Sequence, residues 1–252
     1  MHKIVAPLFL MVLLFSGCSS ASKSSTDAAS HNLKPSLRMM TTISGYSVEG
    51  RPIERWSFGT GDEYVLIIAS IHGDEAAGTP LLHRFARHLA ANPETLEGLG
   101  RVVLVPQVNP DGVADKRRHN SQGVDLNRNF PTSNFQSRQR HGDEPLSQPE
   151  SRALYDLIQR EKPRRVISIH QPVGCIDYDG PERARGLAIA MSEASDLPVQ
   201  KLGARPGSLG SYVGLELGIP IITLELPSQA SRWGEERLWD EYGEMLITSI
   251  QF

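Results

Sequence analysis

Three apolar runs end on side chains that bind metals or move protons: Val65-Leu-Ile-Ile-Ala-Ser-Ile-His72, Arg165-Val-Ile-Ser-Ile-His170 and Ile219-Pro-Ile-Ile-Thr-Leu-Glu225. The first continues through Gly73 and Asp74 to Glu75, so a histidine and a carboxylate leave that run together. Two histidines and one carboxylate, with a fourth position left to water, form the ligand set of a catalytic zinc. A structural zinc closes its fourth position, usually with cysteine, and the chain holds only Cys18 and Cys175. Taken singly, His72 or His170 reads as a hydrogen-bonded strand end and Glu75 as a charge at a helix N-terminus. The case for a metal rests on the set, with Glu225 as a further acid/base group.

Ile- and Val-rich runs without polar alternation are strands buried on both faces, as in a parallel sheet covered by helices. Ligands bind beyond the carboxyl ends of such strands, so His72, His170 and Glu225 are expected on one rim. The same four letters recur at His141-Gly142-Asp143-Glu144. No apolar run precedes them and Pro145 follows, so this copy reads as a solvated loop.

The 252 residues fit one α/β domain with a short N-terminal extension. With 26 basic against 29 acidic residues and no basic, aromatic-studded stripe, nucleic acid is not an expected partner. Lys3, the apolar stretch from Ile4 to Phe15 and Ser16-Gly17-Cys18 have the layout of a secretory signal, too short to span a membrane. Small residues before Cys18 resemble a bacterial lipobox, although Phe15 stands where an aliphatic residue is expected; the plain alternative is an ordinary cleaved signal peptide. The expected division is therefore a signal peptide over 1–17, a flexible tether over 18–36 and a catalytic domain over 37–252. Acylation of Cys18 implies a membrane anchor and a periplasm-facing place in the bacterial envelope, with Ser19 favouring the outer membrane. Cys175 then stays a free thiol.

Gly45, Gly50 and Pro52 between short alternating stretches predict a hairpin over 42–58. Strands are expected at 65–70, 101–108, 165–170 and 219–226, and helices at 75–91, 150–161, 181–195 and 235–250. Between Gly112 and Gln148 no periodicity shows, and a long structureless segment inside a compact domain is usually functional. The expectation is a single-domain mixed, mostly parallel sheet with helices on both faces.

Several ordered motifs now stand together: His72-x-x-Glu75, Asn109-Pro-Asp-Gly112, Gly123-Val-Asp-Leu-Asn-Arg-Asn-Phe-Pro131, His170 and Thr223-Leu-Glu225-Leu. In these the chain resembles the zinc carboxypeptidase family, and within it the small murein peptide amidases. The resemblance implies one zinc per chain held by His72, Glu75 and His170, with Glu225 as general base. It further implies Arg118 as the group that polarises the scissile carbonyl, and Asn127 and Arg128 as the pair that holds a terminal carboxylate. A guanidinium fork suits a carboxylate on physical grounds too. On residues alone, Arg117 and Arg118 are equally a solvated charge pair, and Asn127 and Arg128 could pin a loop.

The chain departs from the larger members where they carry a mobile tyrosine, because Lys201-Leu-Gly-Ala-Arg205 stands there instead. Tyr212 is a candidate substitute for covering the substrate; packed in the core is the other reading. The implied substrate is a murein peptide, cleaved at its γ-D-glutamyl–meso-diaminopimelate bond. Asp177, Tyr178 and Asp179 could meet the free amine, or form a turn at Asp179-Gly180. The alternatives are a zinc-dependent N-acyl amino acid deacylase and a non-catalytic peptidoglycan-binding lipoprotein.

Overall fold

A computed structural model describes residues 39–252. The expected signal peptide over 1–17, Cys18 and the expected tether over 18–36 fall outside the described residues. Seven strands form one sheet: β1 (Met40–Tyr46), β2 (Pro52–Gly59), β3 (Tyr64–Ala69), β4 (Arg101–Val105), β5 (Arg165–His170), β6 (Cys175–Asp179) and β7 (Ile221–Glu225). Their order is β1-β2-β4-β3-β5-β7-β6. The four central strands β4, β3, β5 and β7 run parallel, and the flanking strands pair antiparallel.

The all-apolar run of β3 follows from burial on both faces. Val65, Ile67 and Ala69 pack toward α1 (Gly78–Ala91), α4 (Glu182–Glu193) and α5 (Glu235–Gln251). Tyr64, Leu66 and Ile68 pack toward α3 (Pro149–Glu161) and the segment around Tyr212. Alternate residues thus feed two cores, one on each side of the sheet.

The hairpin, the four central strands and four of the helices lie where periodicity puts them. Helix α1 begins at Gly78 rather than Glu75, because Glu75 to Ala77 form the turn that carries the carboxylate inward. Strand β6 was not anticipated, since its Cys-Ile-Asp-Tyr-Asp mixes apolar and acidic residues that read as a turn. A short helix, α2 (Pro110–Asp115), interrupts the segment without periodicity; Pro110 opens it, and Asn109 caps it by accepting from Gly112 N at 2.9 Å. Residues 210–216 form one wide helical stretch that no sequence signal announced.

Candidate metal centre and substrate cavity

The strand register brings distant residues together. His170 lies directly opposite Glu225 on β5 and β7, and Ala69 on β3 pairs with Ile169. At the exit of β3 the chain turns at Ser70, a non-glycine residue with φ of 50°. That strained conformation costs about 1–3 kcal/mol and is tied down: Ser70 O accepts from Asn109 N and its hydroxyl meets Thr79 Oγ1 at 2.8 Å. Gly73 passes so close to Gly112 that an added Cβ would lie 2.0 Å from the Gly112 carbonyl carbon. Only glycine fits there.

The result is a compact cluster in which ligand atoms of His72, Glu75 and His170 lie within 4.8 Å of one another. His72 Nδ1 stands 2.7 Å from Glu75 Oε1, and His170 Nδ1 2.8 Å from Glu75 Oε2. The far nitrogens are engaged as well. His72 Nε2 donates to Asp125 Oδ1 at 3.1 Å, and His170 Nε2 meets Ser168 Oγ at 3.0 Å. Partners on Nε2 orient both rings and leave the Nδ1 side for a cation, the usual support of metal-binding histidines. The donor set, oriented in this way, fits zinc.

Electrostatics agree. Burial alone would raise the Glu75 pKa, but the neighbouring His170 and His72 hold its carboxyl well below the usual range. Asp125 is likewise pulled down against its burial, by His72 first and by Arg118 and Arg128. His72 is raised despite burial, through its bonds to Asp125 and Glu75. Glu225 differs: burial raises its pKa, with Glu75 adding to the effect and His170 opposing it. Among the described residues its carboxylate accepts one weak bond, from Val173 N at 3.4 Å.

A cavity of about 360 Å³ opens on this cluster, lined also by Arg118, Asn127, Arg128, Asp177, Asp179 and Arg205. Arg118 donates to Glu75 Oε1 at 3.1 Å and to Asp125 Oδ2 at 3.2 Å, whereas Arg117 turns outward to Asp115. The structure thereby separates the two adjacent arginines. Asn127 and Arg128 sit in a single turn of 3₁₀ helix capped by Asp125, which accepts Asn127 N at 3.0 Å. Asn127 spends its Oδ1 on Leu209 N at 2.8 Å, so its amide NH₂ remains available. Arg128 is partly buried, its guanidinium bonds only the Asn127 carbonyl among the described residues, and burial lowers its pKa.

Tyr212 is not with them. It is 3 % exposed, packed between Phe130 and Tyr155 on the α3 side of the sheet, with its hydroxyl on Gln159. The expectation that it covers a substrate is corrected: the wide turn of residues 210–216 directs its ring into the core. Asp125 is the residue that sequence reasoning missed. It lay inside the quoted Gly123–Pro131 motif, and the signal was the need of a ligating histidine for a carboxylate on its second nitrogen.

The family model described as zinc carboxypeptidase matches residues 28–178. Murein peptide amidase A of Escherichia coli (strain K12) is 35% identical over 190 residues, covering 68% of this chain and 74% of that protein. The crystal structure of the murein-tripeptide amidase of Escherichia coli O157 superposes with a TM-score of 0.67 at 29% identity, covering 86% of this chain and 94% of that one. Carboxypeptidase A of Helicoverpa armigera shares the fold, with a TM-score of 0.72 at 20% identity over 85% of this chain and 68% of that one.

Proposed function

The chain belongs to the zinc carboxypeptidase family, and from that premise we propose that it cleaves the γ-D-glutamyl–meso-diaminopimelate bond of murein peptides, next to a free carboxylate. It is a metallopeptidase. The observation that carries the finer reading is Arg128: a partly buried guanidinium, without an ion-pair partner among the described residues, facing the cavity that also holds Glu225 and the histidines. A substrate carboxylate would supply the missing charge.

His72, Glu75 and His170 would hold one zinc. When bound, zinc supplies Lewis acidity and lowers the pKa of water. The protein's own groups do the rest. Arg128 and the Asn127 amide seat the terminal carboxylate, which fixes the scissile bond relative to Glu225. Glu225, raised by burial, takes a proton from the attacking water and delivers it to the departing amine. Arg118, anchored through Nε and Nη1 on Asp125 and Glu75, is 37% exposed and turns its remaining N–H groups to the oxygen on which charge develops.

Support for an envelope location comes from the N-terminal sequence, where an apolar stretch and small residues precede Cys18. Acylation there would tether the catalytic domain near its polymer. Labelled palmitate should enter the wild type and not Cys18→Ala; equal labelling of both would remove the anchor.

The enzymatic reading is tested by incubating the protein with L-alanyl-γ-D-glutamyl-meso-diaminopimelate. Free diaminopimelate should appear, stop with chelator and return with zinc. Release that ignores chelator, or activity confined to a panel of N-acyl amino acids, would overturn it.

A further inference from the structure

Strand β5 carries His170 at its carboxyl end and Arg165 at its start, roughly 17 Å away along the strand. By alternation Arg165 points to the same side as Ile167 and Ile169, into the core beneath α4 and α5. It is 4% exposed, a charged side chain where the pattern calls for an apolar one. Nη1 donates to Ser249 O and Nη2 to Phe252 O, each at 3.1 Å, which ties the end of α5 to the strand. Those oxygens leave further N–H groups of the guanidinium for another acceptor. The charged neighbours that act on Arg165 are Arg164 and Arg183. With burial first, they push its pKa down to about 10, so it stays a cation at neutral pH.

A cavity of about 230 Å³ opens here, lined by Arg164, Arg165, Arg183, Leu187, Pro220 and Phe252. Among the described residues no acidic side chain lines it. Arg164 meets Glu63 at 3.6 Å, a carboxylate that is 79% exposed and so offsets little of the charge. Arg183 is exposed and has no ion-pair partner among the described residues. The surrounding backbone is fixed: Arg164 N donates to Tyr64 O and Val166 N to Pro220 O, both at 2.9 Å. The Phe252 ring centre lies 5.7 Å from the Arg165 guanidinium, and the ring packs so near α4 that a Cβ at Gly186 would stand 3.2 Å from it. Guanidiniums gathered in one cavity repel one another, and a buried charge without a counter-ion is costly; an anion among them removes both penalties.

We propose that this cavity binds a phosphomonoester, with Arg164, Arg165 and Arg183 on its phosphate oxygens and its organic part against Leu187, Pro220 and Phe252. Three guanidiniums against one exposed carboxylate leave an excess of about two positive charges, which a phosphomonoester dianion matches and a single carboxylate does not. The planar fork of arginine suits phosphate oxygens. Bound phosphate would join the start of β5 to α4 and to the end of α5, at the opposite end of the strand from the metal cluster. The site is independent of the hydrolytic reading, whose own cavity holds Arg128. Soluble phosphates and lipid headgroups both carry such a group, and the experiment separates them.

Calorimetry on the full-length, zinc-loaded protein at fixed ionic strength tests this with two probes, inorganic phosphate and dihexanoyl phosphatidic acid, a soluble short-chain lipid. Both should bind saturably. R164Q and R183Q each remove one charge-assisted contact while leaving the buried Arg165 in place, and each should weaken binding by about tenfold or more. Arg128→Ala, in the metal cavity, should leave it unchanged. Phosphate should also raise the Tm of the wild type and not that of R183Q, whose Tm without phosphate shows that it is folded. Absence of saturable binding by either probe, or affinities unchanged in both R164Q and R183Q, overturns the site. Binding lost only in Arg128→Ala overturns it too, since the anion then sits in the metal cavity. Phosphatidic acid binding at least about tenfold tighter than phosphate, with both Gln variants impaired, upholds the site with a lipid headgroup as its ligand; equal affinities upholding the same variant pattern assign it to a soluble phosphate.

Discussion

His72-Gly-Asp-Glu75 and His141-Gly-Asp-Glu144 are the same four residues put to opposite uses. In the first, the side chains matter: both ends are buried and face the cavity. In the second, the main chain matters: the carbonyls of His141 and Glu144 accept from Asn129 Nδ2 at 2.8 and 3.1 Å, and the preceding Arg140 carbonyl accepts Asp125 N at 2.7 Å. One copy supplies two of the three donors of the candidate metal cluster. The other braces the loop that delivers Asp125, Asn127 and Arg128 to it. The difference lies in what precedes each copy, an apolar strand fixed by the sheet in one case and a polar loop in the other.

Paired substitutions should break this symmetry most sharply. His72→Ala is expected to lose zinc and, with it, about three or more orders of magnitude of turnover, while His141→Ala should stay within about twofold because its carbonyl survives. Metal analysis alongside kinetics checks both. A His72→Ala protein with full zinc and activity would end the ligand assignment. Glu225→Gln provides the complementary case, a loss of about 10²–10⁴ in kcat at normal zinc content, because the amide keeps shape without basicity.

A smaller effect is expected one contact further out. Asp125→Asn keeps the size of the side chain that holds His72 Nε2 but removes its charge, and zinc affinity should fall by about 10- to 100-fold. Titration against a competing chelator measures it. Arg118 also leans on Asp125, so kcat should drop too even when zinc is saturating. An unchanged zinc affinity would mean that His72 is oriented by packing alone.

Much of this was legible in the sequence, for identifiable reasons. The central strands announced themselves because burial on both faces demands unbroken apolar runs, and each run ended on the residue it presents. Local pattern failed where tertiary context decides. The acidic residues of β6 look like a turn because nothing local reveals that they face a cavity, and Asp125 has no periodicity to mark it. The resemblance to a family chose Arg118 over Arg117, a choice that spacing left open; the fold sets Arg118 on Glu75 at the cavity and Arg117 on Asp115 outside it. Tyr212 failed for a related reason: a tyrosine near a Gly-Ser motif suggests a substrate contact, while the direction of its ring depends on a helical stretch without a sequence signature.

That misplacement supplies the mildest test, because it separates a site residue from a core residue of the same chemistry. Tyr212 lies 5.8 Å from Phe130 and 5.4 Å from Tyr155 between ring centres, and burial pushes its phenol up to about 12. Tyr212→Phe keeps the ring stacking and removes only the hydroxyl that meets Gln159. Gln159 is half-buried and can turn to water, so the loss should be about 0.5–1.5 kcal/mol, the net worth of one hydrogen bond. For a domain of this size that lowers Tm by about 1–6 °C. Activity should not follow: kcat and KM on the tripeptide should match the wild type at 25 °C, well below the transition. A tyrosine that covered substrate would give the reverse pattern, an unchanged Tm with a fall in kcat/KM, and that outcome would return Tyr212 to the cavity.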